Sequence, residues 1–184
     1  MGHRWVSQMV PACLLVAALA GCGVDAGNSS GVSQREILQY VSEVEPFRLA
    51  VNQLLDRADP ILSAYQANRL TPAKAQEELG QLERSFGKYA VDIAAIAPQN
   101  RTLQSIHRPY AQTYVLEDTY LSALVAALPG RDFADLPNTQ NAQRRAIIQW
   151  RIDLEVLARQ MGTKLPGDLE AAGRGEIAPS PGGS

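Results

Sequence analysis

The stretch from Thr71 to Ile96, TPAKAQEELGQLERSFGKYAVDIAAI, decides the fold class. Ala75, Leu79, Leu82, Phe86, Tyr89, Ile93 and Ile96 follow one another at alternating steps of four and three, the spacing of one apolar face on an α-helix. Thr71 supplies an N-cap and Pro72 the first helical position, where a missing backbone N–H costs nothing. Pro98 closes the segment. Gly80 and Gly87 lie within it, and glycine inside a helix costs about 1 kcal/mol relative to alanine. Their presence predicts close approach of a neighbouring helix.

The pattern repeats on both sides. Upstream, Ile37, Val41, Val44, Phe47, Val51, Leu54, Ala58, Ile61 and Tyr65 keep one phase, and Ser33 with Glu36 forms a capping box at the start. Pro46 and Pro60 interrupt this run, so the expectation is one long kinked helix or a helix that restarts, at Pro46 or at Asp59-Pro60. Downstream, Leu103, Ile106, Tyr110, Tyr114, Leu121, Leu124 and Leu128 mark a third helix from about Arg101, with the most polar face of the four and Pro109 as a place to bend. A fourth begins near Asn138 or Thr139 and carries Ala146, Trp150, Leu154, Leu157 and Met161 before Gly162, a C-terminal cap. No segment alternates apolar and polar residues as a strand does. The fold class that follows is all-α, an antiparallel four-helix bundle with a kinked first helix.

The ends of the chain have a different composition. Residues 1–21 contain Arg4, an apolar run from Met9 through Ala20, and a small-residue exit at Ala20 and Gly21. That is the pattern of a secretory signal peptide, and the apolar run is too short to cross a hydrocarbon core about 30 Å thick. Leu19-Ala20-Gly21-Cys22 then resembles the lipobox of bacterial lipoproteins. The resemblance implies that Cys22 receives a diacylglycerol and becomes the first residue after cleavage, anchoring the protein to the cell membrane on its extracytoplasmic face. The Ala- and Arg-rich composition is similar in style to that of many lipoproteins of actinobacteria and names no activity.

Residues 22–32 are rich in Gly and Ser and read as a flexible lipidated tether. Residues 33–165 form the helical domain, a common size for one core. Residues 166–184 hold five glycines and three prolines and are expected to be a disordered tail, lacking the apolar surface that would offset ordering. Cys13 leaves with the signal, so the mature domain has no disulfide of its own. Loss of Arg4 leaves sixteen basic and nineteen acidic residues, a net charge of −3 that offers no basic face to nucleic acid.

Chemistry-bearing residues are few. Gly27-Asn28-Ser29-Ser30-Gly31 matches the Gly-x-Ser-x-Gly of a nucleophile elbow, but it lies in the tether with no strand before it. His107 is the single histidine after signal removal. The Glu-x-x-His of di-iron bundles would need a glutamate where Gln104 stands, so no metal or other cofactor is expected. As a lone helical histidine, His107 reads as an edge or capping residue. Glu117 falls between Tyr114 and Leu121 on the third stripe, either at its edge beside Asp118 or buried against Arg145 or Arg151, with the edge favoured. His107, Tyr110, Tyr114 and Glu117 are the candidate lining of a ligand pocket between the helices.

No catalytic set emerges. The expected function is therefore non-enzymatic, an interaction or scaffold module of the envelope whose partners are the membrane, through the lipid on Cys22, and another envelope protein. The alternative is a binding protein for a small apolar ligand.

Overall fold

A computed structural model describes residues 31–166, Leu169 and residues 177–181. The signal peptide, Cys22 and the Gly-x-Ser-x-Gly stretch lie outside the described residues, apart from Gly31. Among the described residues the secondary structure is all helical: α1 Gln34–Asp56, α2 Ala58–Gln66, α3 Pro72–Ala95, α4 Arg101–Ala127 and α5 Gln140–Gln160. None of these helices is long and apolar enough to cross a membrane.

The starts are built as their residues dictate. Ser33 Oγ accepts the Glu36 N–H at 3.2 Å while the Glu36 carboxylate accepts the Ser33 N–H at 2.7 Å, the reciprocal pair of a capping box. Val32 precedes the cap and Ile37 follows it at the fourth helical position, and both are buried. This is the pattern of a hydrophobic staple. The folded domain thus takes in Val32, one residue of the expected tether. Thr71 Oγ1 accepts the Lys74 N–H, and Asn100 Oδ1 accepts the Thr102 N–H at 2.9 Å.

The chain breaks at Arg57 and not at Pro46, so the expected four helices become five. Pro46 and Pro109 both lie inside helices, on exposed positions, and each stands four residues after an exposed serine, Ser42 and Ser105. The carbonyls deprived of a helical partner therefore face water, which lets the helix continue. Pro60 is the third residue of α2, where its missing N–H falls among the groups that have no helical acceptor anyway.

Helix α4 packs between α3 and α5, while α1 packs on α3 and α5 and α2 on α3 and α1. The two glycines of α3 have the role expected of them. A Cβ on Gly87 would lie 3.2 Å from Asp118 Oδ1, and one on Gly80 would lie 3.7 Å from a Val125 methyl, both on α4. Ser122 of α4 also donates to Glu83 of α3 at 2.7 Å. Ile37, Val51, Leu79, Phe86, Ile93, Leu103, Leu121, Leu124 and Leu154 form the centre of one continuous apolar core.

On α5 the buried face is rotated from the expected one. Gln143, Ile147, Trp150, Leu154 and Ala158 are buried, whereas Met161 is exposed and Ala146 and Leu157 are half-buried. The bulk of Trp150 sets the phase, and Gln143 and Ala158 fall in line at steps of three and four. Gly162 ends the helix at φ +65, with Gly162 N–H donating to Arg159 O and Thr163 N–H to Ala158 O. That is a Schellman cap. Asn68, at φ 54, does the same after α2.

Of the expected tail, the described residues Leu169 and 177–181 lie against the bundle. Leu169 and Ala178 are each only 2 % exposed, and Ile177 is packed on the core. Side chains of the bundle meet the Ala178 N–H and the Ala178, Pro179 and Pro181 carbonyls, which compensates for the small apolar area of this segment.

Candidate functional site

Helix α4 carries the polar interior. His107, Tyr110, Tyr114, Glu117 and Tyr120 descend it at steps of three and four, with Thr113 beside Tyr114, and all six are buried. The helical period puts them on one face, and the core side of that face meets α5 and α1.

At the upper end, Trp150 Nε1–H of α5 donates to Tyr40 Oη of α1 at 2.8 Å. Tyr40 Oη and His107 Nδ1 are 2.9 Å apart, and His107 Nε2 lies 3.0 Å from the Ile93 carbonyl of α3. A carbonyl only accepts, so Nε2 carries the proton and donates to it. Nδ1 then accepts from Tyr40, which in turn accepts from Trp150. One order of protons satisfies all four helices at once, with a neutral imidazole. Burial holds the His107 pKa below its ordinary value, opposed by the bond to Ile93. Burial likewise raises the Tyr40 hydroxyl, so it stays protonated. The Ile93 carbonyl belongs to the last turn of α3, so His107 caps that helix from a buried position.

In the middle, the Tyr110 ring stacks on Trp150 with centroids 4.1 Å apart and an interplanar angle of 14°. Its hydroxyl bonds that of Tyr114 at 2.8 Å, and Tyr114 stacks on Phe86 of α3.

At the lower end, Glu117 is 1 % exposed and not at an edge. Among the described residues its hydrogen-bond partners are not Arg145 or Arg151. Instead Gln143 Nε2 donates to Glu117 Oε2 at 2.8 Å and to the Thr113 carbonyl at 3.2 Å, and the Ala178 backbone N–H donates to Glu117 Oε1 at 2.8 Å. Burial without a cation raises the Glu117 pKa from 4.5 to about 7, against the lowering effect of its two donors. Burial, with Glu117 one turn away, also lifts Tyr120 to about 12. Gln143 Oε1 is buried with no hydrogen-bond partner among the described residues.

The structure therefore brings His107, Tyr110, Tyr114 and Glu117 onto one face of one helix, but fills the space around them with Trp150, Tyr40, Phe86 and Gln143. Among the described residues no group of three or more His, Cys, Asp or Glu side chains converges as a metal site would require. Both nitrogens of His107 are already engaged within the protein. No family model matches this chain, and no curated protein or solved structure is significantly similar to it.

Three buried polar side chains, of which Gln143 and Tyr40 join this network, carry no role in the sequence reading. Gln143 is one, although its spacing of four and seven from Ile147 and Trp150 would have placed it inward. Tyr40 sits one residue before the expected stripe position Val41. Arg48 is 1 % exposed beside Phe47, gripped by Glu45 through Nε at 2.8 Å and Nη2 at 2.6 Å. An i, i+3 acid–base pair was the available signal there.

Proposed function

We propose that this chain is a lipid-anchored, extracytoplasmic interaction module of the cell envelope, held to the membrane through Cys22, with helices that run antiparallel and a surface that engages another envelope protein. The pairings Ile93 with His107, Gly87 with Asp118 and Gly80 with Val125 support the antiparallel course of α3 and α4, since one number rises as the other falls.

The observation that carries the reading is the Tyr110–Trp150 stack. With the rings 4.1 Å apart, the polar face of α4 works as a strut between helices, and recognition falls to the outside of the bundle. This weighs against a small apolar ligand between the same rings. Exposed apolar residues are available for contact: Leu38 and Leu49, eleven apart on one side of α1, and Ile152 and Val156, four apart on α5.

Membrane fractionation with mass analysis of the N-terminal peptide tests the anchor, comparing the native protein with Cys22→Ser. A diacylglycerol on Cys22 in the native protein alone, followed by crosslinking to a second envelope protein, is the expected result. Cleavage at another site with release into the medium would overturn it.

A further inference from the structure

Residues 177–181, Ile-Ala-Pro-Ser-Pro, lie on the bundle through their main chain. Ala178 offers its N–H to Glu117, and its carbonyl accepts from Gln140 Nε2 of α5 at 2.9 Å. The Pro179 carbonyl accepts from Tyr120 of α4 at 3.3 Å, and the Pro181 carbonyl accepts from Gln66 of α2. Side chains of three helices thus read four backbone groups of one short segment. Only Ala178 is buried as a side chain, in a place that accepts a small residue. The two prolines remove N–H groups that a polar surface would otherwise have to satisfy, and they restrict the free segment toward extended conformations, which lowers the ordering cost of docking.

The groove is larger than its occupant. A cleft of about 250 Å³ lies alongside Ser180 and Pro181, lined by Tyr120, Phe133, Leu136 and Gln140 among others. Ser180 is exposed at its margin and hydrogen-bonds Tyr120 through its side chain.

We infer that this groove is a binding site for an extended, proline-containing peptide segment of another protein, and that the chain's own residues 177–181 are its resident, displaceable occupant. The backbone contacts are available to any segment with an N–H at the alanine position. A bulkier apolar residue in place of Ser180 exchanges the serine's hydrogen bond with Tyr120 for apolar contact with Phe133 and Leu136 in the cleft. A second copy of this chain would bring the same serine and gain nothing over the resident. The inference rests on the reading of this chain as an interaction module, but not on its lipid anchor.

The test uses the full protein in detergent solution and a fluorescent peptide of residues 175–183, read by anisotropy. A tethered segment has an effective concentration of about 1 mM, so the resident tail masks the site from peptide in solution. Ala178→Glu in the protein should expel the tail and strengthen peptide binding at least tenfold. Methylating the peptide nitrogen at its alanine should weaken binding at least tenfold, and leucine in place of its serine should strengthen it several-fold. Absence of peptide binding to a helical Ala178→Glu protein, or equal binding of the methylated peptide, would overturn the proposal. So would a dimer of the variant that excess peptide does not dissolve. If the variant fails to fold, the unmodified protein decides: excess peptide should speed hydrogen exchange at the Ala178 amide, and an unchanged rate would refute displacement. A negative result leaves the fractionation and crosslinking outcomes untouched.

Discussion

The two ends of the polar face of α4 are ten residues apart, about 15 Å along the helix, and they are finished in different ways. Around His107 the donors and acceptors belong to helices: Trp150 to Tyr40, Tyr40 to His107, His107 to Ile93. Around Glu117 one partner is the Ala178 N–H from beyond the last helix, and the amide oxygen of Gln143 has none among the described residues. A buried network that is complete within the helices fixes their arrangement. One completed by a strap stays as firm as the strap.

Trp150→Ala should strike the first network hardest. It removes the stack on Tyr110 and the donor to Tyr40, and a loss of about 3–5 kcal/mol is expected from denaturant unfolding. A loss below about 1 kcal/mol would mean that this end is no strut. Tyr40→Phe keeps the ring but leaves the Trp150 N–H and His107 Nδ1 without partners, at an expected cost of about 1–3 kcal/mol.

Acid and alkali should separate the two ends. The His107 pKa is lowered by folding, so its contribution is fully present above the unfolded value near 6.5 and is lost as pH falls through the folded one. Glu117 has the opposite sign. Its pKa is raised to about 7, so its contribution is full below the unfolded value near 4.5 and is lost as pH rises through 7, a change on the order of 2 kcal/mol between pH 5 and pH 8. Thermal unfolding followed across this range should show both limbs. Glu117→Gln should flatten the alkaline limb and spare the acid one, and the reverse pattern would show that the assignments are exchanged.

The smallest expected effect is that of Gly162→Ala. Nothing crowds a Cβ there, so the cost is the left-handed backbone alone, about 1 kcal/mol. Because Gly162 turns the chain out of α5 toward the strap, hydrogen exchange should quicken at Ala178 with the His107 network unchanged. Equal loosening at both ends would erase the distinction between them.

The α3 stripe from Ala75 to Ile93 was readable because a single helix needs only periodicity and a cap to declare itself, and the same holds for Leu103 to Leu128 on α4. The inward position of Glu117 followed from that stripe too, yet its burial did not, since the sequence names no partner for it. The sequence offers Arg145 and Arg151 as charged partners, whereas the donor is Gln143, a neutral side chain in phase with Ile147 and Trp150.

The sequence by itself determined the stripes of α3 and α4, the caps at Ser33, Thr71 and Gly162 and the close approach at Gly80 and Gly87, because these depend on residues three, four or seven apart. Tertiary structure alone decided which hydroxyl meets which imidazole, and that residues 177–181 serve Glu117. Those contacts join residues as far apart as Tyr40 and Trp150, or Glu117 and Ala178, and a hydrogen bond between distant positions leaves no periodic trace in the chain.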